Sequence, residues 1–466
     1  MATPNADLFP SRDARLRQET ALTGLLAGVD QRVAAGPVTP TIDLNAFNAE
    51  LTQFDFREPR DLEAVLDWTV ARLETGLVHL NHPRYLGLFN PAPSFPAQCA
   101  ERITAAFNPQ LASTATSPTA VALEAHVIRA VASRAGLDAA TGHFTSGGSE
   151  ANATAVICAL THAAPDFATL GSRAFAGQPV FYISRDSHLA WIKIAHQSGI
   201  GRAAARQVAT DGAGRMSLEA LDAAIRADRQ AGNVPFMLVA TAGTTNAGMI
   251  DPLVACAEIA RQEKLWYHVD AAWGGGAIAS DRHRGQLAGI ETADSITIDA
   301  HKWFATTMGC GMFITAHAKV LTDCFNVATT FMPSHVPELD PYVTTLQWSR
   351  RFLGLRLFLS LAAAGWAGHG AHVDHSFAMV EHLSTALTER GWRRVNGREA
   401  LAVACFIPPP NSKPMPQIVT EMLRSGAAWL SVATFEDCKV LRTCVTHGET
   451  SLEDIHQVVA ALQKVT

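Results

Sequence analysis

From about residue 140 to 315 the chain alternates short apolar runs with stretches of helical periodicity. Residues 180–184 and 235–241 read as strands, the second apolar enough to be buried on both faces. Residues 264–270, Lys-Leu-Trp-Tyr-His-Val-Asp, form a mostly apolar strand that ends on a carboxylate. Residues 295–298 alternate polar and apolar into a turn, and 313–315 supply a further strand. Helical stretches lie between them, through Val156, Ile157 and Leu160, and through Ile192 and Ala195. Strands alternating with helices predict a mainly parallel α/β core.

The flanks carry different patterns. Residues 12–35 predict one helix with a broken stripe of Leu16, Leu22, Leu25 and Leu26, ended by Pro37 and Pro40. A second helix is predicted over 62–77, with Leu62, Val65, Leu66 and Val70 on one face. Together they make an amphipathic arm whose apolar face must be buried somewhere. Ser117 and Pro118 open a further helix as N-cap and first residue. Residues 329–349 are polar, proline-bearing and aperiodic, a long loop of the kind that is functional or disordered. Beyond about 371 come Val380, Leu383 and Leu387 at helical spacing, strands at 401–407 and 440–445, and a final helix from Leu452. The chain thus divides into an arm (1–80), a large domain (81–370) and a small domain (371–466).

Composition narrows the classes. The 466 residues are 48% hydrophobic and 17% charged, which is ordinary for a globular protein with a large core. A net charge of −6 with no basic run argues against a nucleic-acid partner. The first residues lack a charged-then-apolar signal pattern, and the most apolar stretch, 357–367, is far short of the ~18 residues of a membrane span. A cytoplasmic protein without a membrane partner is expected. Eight cysteines without a CxxC pair imply neither a zinc ribbon nor a disulfide framework. His369, His372 and His375 drift around a helix at three-residue spacing, so solvated or interface histidines are expected there and no metal.

The candidate chemistry centres on Lys302. Lysine is scarce, with seven in the chain, and this one follows His301 and precedes Trp303 and Phe304. A desolvated lysine loses its proton more readily, and a neutral amine attacks a carbonyl to form a Schiff base. The competing reading is a strand-end lysine that snorkels to water. Asp270, 32 residues earlier, sits at the carboxyl end of a strand, where α/β sheets bind ligands. An acid for a pyridinium nitrogen and a lysine for an aldehyde are what a pyridoxal phosphate site demands. In Thr145-Ser-Gly-Gly-Ser-Glu-Ala-Asn152, Gly148 and Ser149 let backbone approach an anion, and the following helix points its amides at it. Alone, such a turn also caps helices that bind nothing.

With these segments in this order the chain resembles the group II pyridoxal-phosphate-dependent amino-acid decarboxylases, which include the aromatic amino acid, histidine, glutamate and diaminobutyrate enzymes. Asp-Ala-His-Lys-Trp (299–303) and His-Val-Asp-Ala-Ala-Trp (268–273) are close versions of the family's two signature segments, and the likeness runs from about residue 80 to the end. The resemblance implies a fold type I large domain, an N-terminal helical arm packed on a partner subunit and a smaller α+β C-terminal domain. It implies Lys302 as the Schiff-base lysine, Asp270 at the pyridine nitrogen, and Gly148 and Ser149 at the phosphate. Thr245, Ala272 and His301 would stand around the cofactor, with His188 stacked on its ring and facing the substrate. Residues 82–93 would line the substrate pocket and bring Phe89 and Asn90 to the substrate side chain, with fewer aromatic residues than the aromatic enzymes carry. Arg442 is the family's candidate for a substrate carboxylate, set against a plain solvent-facing strand arginine. Tyr342, in the long loop, would protonate the substrate carbon, usually in the neighbouring subunit's site. The implied activity is loss of the α-carboxylate of an L-amino acid as carbon dioxide, by a homodimer with shared active sites. An aldehyde-forming oxidative decarboxylase, another pyridoxal-phosphate lyase or aminotransferase, and a non-catalytic cofactor-binding subunit are the alternatives. Two departures stand out: Asp299 replaces a common asparagine near the phosphate and is not taken as a ligand, and His447-Gly448 replaces an asparagine after Arg442.

Overall fold

A computed structural model describes residues 8–327 and 340–466. Its large sheet contains β1 (Thr141–Thr145), β2 (Pro179–Ser184), β3 (Ala205–Val208), β4 (Val234–Thr241), β5 (Trp266–Asp270), β6 (Ser295–Asp299) and β7 (Gly311–Thr315). The order is β1-β7-β6-β5-β4-β2-β3, and β7 alone runs against its neighbours. Every residue of β2, β5, β6 and β7 is buried, which is why these strands read as apolar runs. Because the other strands are parallel, the carboxyl ends of β1, β2, β4, β5 and β6 open on one rim.

The small sheet holds β8 (Arg393–Arg394), β9 (Val403–Ile407), β10 (Ser431–Phe435) and β11 (Cys438–Cys444), in the antiparallel order β10-β11-β9-β8. Helix Met415–Ser425 buries Ile418, Val419 and Met422, and helix Leu452–Val465 buries Ile455, Val458, Val459 and Leu462. Each such side chain contributes about 1.5–3 kcal/mol by leaving water. Ser451 and Asp454 close a reciprocal cap at the start of the last helix. The long helix Gly354–Thr388 breaks its helical geometry at Gly365 and then runs through position 370, where the large and small domains were expected to part. Its Val373, Val380 and Leu383 share one apolar cluster with residues of both sheets, so the small domain rests on the core of the large one.

The single helix expected over 12–35 is two, Arg12–Leu26 and Val29–Ala35, because Gly28 takes a left-handed conformation (φ 69°) between them. Helices Leu44–Leu51 and Phe95–Phe107 were not anticipated, while Leu62–Gly76 was. Helices Arg12–Leu26, Leu44–Leu51 and Leu62–Gly76 contain no buried residue, and Leu16 and Leu44 are 63% and 66% exposed. Among the described residues the arm's apolar face is covered only in part, by contacts such as Phe47 and Phe54 on Trp68.

Two further expectations change. Residues 329–339 of the long loop lie outside the described residues, but Pro341–Thr344 is a helical turn with Tyr342 buried. His369 is buried against the Ser360 hydroxyl of the same helix, and His375 ties that helix to the Thr450 carbonyl (3.0 Å), so neither simply faces solvent. Among the described residues no group of three His, Cys, Asp or Glu side chains is placed to hold a metal, and no single helix is long and apolar enough to cross a membrane.

Candidate active site

The rim of the large sheet encloses a cleft of about 330 Å³. Five of the parallel strands, all but β3, deliver a group to it as they end. The turn after β1 brings Gly148 and Ser149, the turn after β2 brings His188, and the turn after β4 brings Thr245. β5 ends on Asp270 and continues into Ala272, and β6 leads into His301 and Lys302. Phe89 completes the wall.

Ser149 stands in the first turn of helix Gly148–Ala163, where amides have no intrahelical acceptor and the helix dipole is positive. Glycine is required at 148 by close packing: a Cβ there would lie 3.0 Å from Asp299 Oδ2 and 3.2 Å from Ala272 Cβ. A Cβ at Gly311 would lie 2.7 Å from Asp299 Oδ1. Backbone thus closes on this end of the cleft from two sides.

Asp270 is 5% exposed and held by three donors. Asn152 Nδ2 (2.9 Å) and Trp191 Nε1 (3.1 Å) donate to Oδ2, and the Ala272 amide (3.2 Å) donates to Oδ1. Behind Asn152 runs a directed chain. Trp266 Nε1 donates to Ser295 Oγ (2.8 Å), Ser295 to His268 Nδ1 (2.8 Å), and His268 Nε2 to Asn152 Oδ1 (3.2 Å). Burial lowers His268 to about 4, which keeps it neutral and fixes that direction. Asn152, Trp191 and His268 were missed from the sequence. Asn152 had a signal, since it follows Gly148 by one helical turn and is polar on a face that packs against the sheet.

Lys302 Nζ lies 3.0 Å from Asp299 Oδ2 and 5.8 Å from the Phe89 ring centroid. The lysine therefore neither snorkels to water nor sits in a purely apolar pocket. Asp299 Oδ1 is buried without a hydrogen-bond partner among the described residues. His301 Nδ1 lies 3.0 Å from the Cys310 carbonyl oxygen and 3.3 Å from the Cys310 amide nitrogen, which pins its ring to the residue preceding β7. His188 Nδ1 accepts the Ala190 amide (3.1 Å), which leaves its proton on Nε2. Burial lowers His188 below the ordinary imidazole value, with Lys302 adding to the shift and Asp270 opposing it.

Phe89 reaches the cleft because residues 85–87 lie along the small sheet. Leu86 N donates to Trp429 O (2.9 Å), and Cys444 N donates to Leu86 O (2.8 Å). Gly87 passes so close that a Cβ would sit 2.2 Å from the Trp429 ring. Phe89 then stacks on Trp273 (4.1 Å), and Trp273 on Trp303 (4.2 Å). Asn90 Nδ2 donates to Sδ of Met308, a cleft residue.

Arg442 is 2% exposed, which excludes the solvent-facing reading. Its guanidinium lies 4.4 Å over the Phe89 ring, with Nε donating to Thr245 O (2.6 Å) and Nη1 to Gly87 O. Its Nη2 is buried and has no hydrogen-bond partner among the described residues. Tyr342 is not part of the cleft wall: its amide bonds Ala112 O (3.1 Å) and its ring lies 5.3 Å from Trp348.

These residues fit pyridoxal phosphate: a fixed acid, an amine and a helix N-terminus share one cleft, and at Gly148 the backbone packs so closely that a Cβ would crowd it. The chain matches the pyridoxal-dependent decarboxylase conserved domain over residues 49–407. It is 31% identical to the acidic amino acid decarboxylase GADL1 of Mus musculus over 81% of this chain and 72% of that protein. It is 27% identical to the aromatic-L-amino-acid decarboxylase of Bacillus atrophaeus over 92% of this chain and 90% of that one. The crystal structure of mouse CSAD in apo form superposes with a TM-score of 0.91 at 25% identity, covering 98% of this chain and 99% of that one. The chain belongs to the pyridoxal-dependent decarboxylase family and is a pyridoxal-phosphate-dependent amino-acid carboxy-lyase of fold type I.

Proposed function

We propose that the cleft holds pyridoxal phosphate with Lys302 as the amine for its aldehyde carbon, Asp270 at its ring nitrogen, and Gly148 and Ser149 at its phosphate. The observation that supports this assignment is the convergence of all three on one rim of the parallel sheet. When bound, the cofactor supplies the electron sink for the pair freed when the bond to the carboxylate carbon breaks. The chain's own residues do the rest.

Asp270 is locked by its three donors, so its carboxylate keeps one orientation. Thr245, Ala272 and His301 bound the cofactor's space. Burial lowers His188 below the ordinary imidazole value, so a proton on its ring is readily given up, and with Nδ1 taken by the Ala190 amide it is Nε2 that serves the substrate carbon. It lines the cleft of its own chain, which supports it as a proton donor there, while Tyr342, expected to serve the neighbouring subunit's site, lies beside Trp348 outside this chain's cleft. Phe89 and Met308 form the wall for the substrate side chain, and Asn90, which does not itself line the cleft, holds Met308 from behind. Arg442, which does not itself line the cleft, positions that wall by holding Phe89, Gly87 and Thr245 together.

The arm supports a second part of the reading, a homodimer. Leu16, Leu44, Phe56 and Leu62 present apolar surface that a second copy would cover.

The assay is carbon dioxide release by the cofactor-loaded protein over acidic, aromatic and diamino L-amino acids, with products separated by chromatography. Equal amounts of amine and carbon dioxide from at least one substrate are expected. No carbon dioxide from any, or aldehyde and peroxide in place of amine, would overturn the proposal.

A further inference from the structure

Cys158 and Cys324 are the only two cysteine sulfurs in contact among the described residues, with Sγ atoms 4.0 Å apart. They lie 166 residues apart in sequence, on two packed helices. Cys158 is on helix Gly148–Ala163, whose first turn lines the cleft, and Cys324 is on helix Ala318–Phe325, which follows β7. The environments differ. Cys158 is wholly buried among Val320, Leu321 and Phe181, whereas Cys324 is partly exposed.

That asymmetry is what a dithiol needs in order to react in sequence. The contact with Cys158 lowers the Cys324 thiol, because the Cys158 S–H can donate to its thiolate, and Thr161 assists. Burial pushes the Cys158 thiol well up. Cys324 is therefore the sulfur that an oxidant reaches and the more acidic of the two, and Cys158 is the neighbour in position to resolve it. The catalytic assignment uses neither residue.

We propose that Cys158 and Cys324 form a modification site, a dithiol that a hydroperoxide closes to an intramolecular disulfide. The Cys324 thiolate attacks the terminal peroxide oxygen, the O–O bond breaks, and Cys324 becomes a sulfenic acid as alkoxide or hydroxide leaves and is protonated. The Cys158 sulfur then attacks the Cys324 sulfur. The S–S bond forms as the S–O bond breaks, and the Cys158 proton leaves with the hydroxide as water. Two thiols lose two electrons to one peroxide. The new bond ties the helix that opens the cleft to the helix after β7.

The test uses the cofactor-loaded full chain, reduced, desalted and treated with hydrogen peroxide, then alkylated and digested without reductant. A peptide pair joined through Cys158 and Cys324 is expected, with denatured free thiols falling from eight to six and returning with dithiothreitol. Oxidation confined to the exposed Cys438, or Cys324 converted to sulfinic acid without the joined pair, overturns the proposal. Cys158→Ala should trap the intermediate, so that dimedone labels Cys324 several-fold more than in the unaltered chain. Equal labelling in the two overturns it. If Cys158→Ala does not fold, Cys324→Ser serves, and it should keep its seven thiols through the same treatment.

Discussion

Replacing Asp270 by asparagine tests the floor of the cleft. The side chain keeps its shape but retains one acceptor oxygen for three donors. The least costly orientation leaves that oxygen facing Asn152 Nδ2 and Trp191 Nε1, which turns the new amide NH₂ toward the Ala272 N–H. One buried donor is then stranded, at about 1–3 kcal/mol of stability. The change also removes the charge-assisted hydrogen bond to a pyridinium nitrogen, about 1.5–3 kcal/mol, or roughly 10- to 150-fold in rate. The expected protein folds, melts a few degrees lower and retains cofactor absorbance, while kcat for carbon dioxide release falls by at least about tenfold. Cofactor-saturated stopped assays beside a thermal melt measure both effects. A cofactor-loaded Asp270→Asn protein with unchanged kcat would refute the assignment of Asp270 to the ring nitrogen.

Other outcomes follow from the same geometry. His188→Gln should lower kcat by about 100-fold or more, as loss of a general acid does, while Tyr342→Phe should still yield amine; a Tyr342→Phe protein that releases aldehyde and peroxide under air would reverse the two roles. Burial holds His82, His268 and His372 near 4, so the unfolded chain takes up their protons as pH falls below about 6.5 and the folded chain does not until about 4. Stability from these groups is complete above pH 6.5 and is lost toward pH 4, against the opposite trend of Asp251, raised to about 7 by burial; a melting temperature that climbs from pH 7 to pH 5 would contradict this. Sedimentation should give a dimer, and replacing Leu16 and Leu44 by lysine should weaken it, whereas a fully active monomer would remove the reason for the arm's apolar face.

The chemistry that is contiguous in sequence was legible. Lys302, Asp270 and the Gly148-Ser149 turn each lie in a short run whose strand-to-turn pattern already places it at a sheet edge, and the structure puts all three on one rim. What supports them was not. The side-chain donors to Asp270 come from positions 118 and 79 residues away, and no local periodicity shows that Asn152 and Trp191 meet there. Arg442 read equally as a substrate ligand or a surface residue, because its surroundings, Gly87 and Thr245, come from the two other ends of the fold. Gly28 lies just past the leucine stripe, and the apolar Val29 and Val33 beyond it kept a helical spacing that hid the break. Tyr342 sits in an aperiodic stretch, where pattern gives no direction to a side chain, and its burial beside Trp348 needed the tertiary fold.

The central claim is that Lys302 carries the cofactor. Reduction of the cofactor-loaded protein with borohydride, followed by peptide mass mapping, fixes the group to whichever lysine holds it. The label is expected on the peptide containing His301-Lys302-Trp303, and Lys302→Ala should lose both the label and the visible absorbance. A label on Lys193 or Lys264, or full retention of the absorbance in Lys302→Ala, would contradict the account.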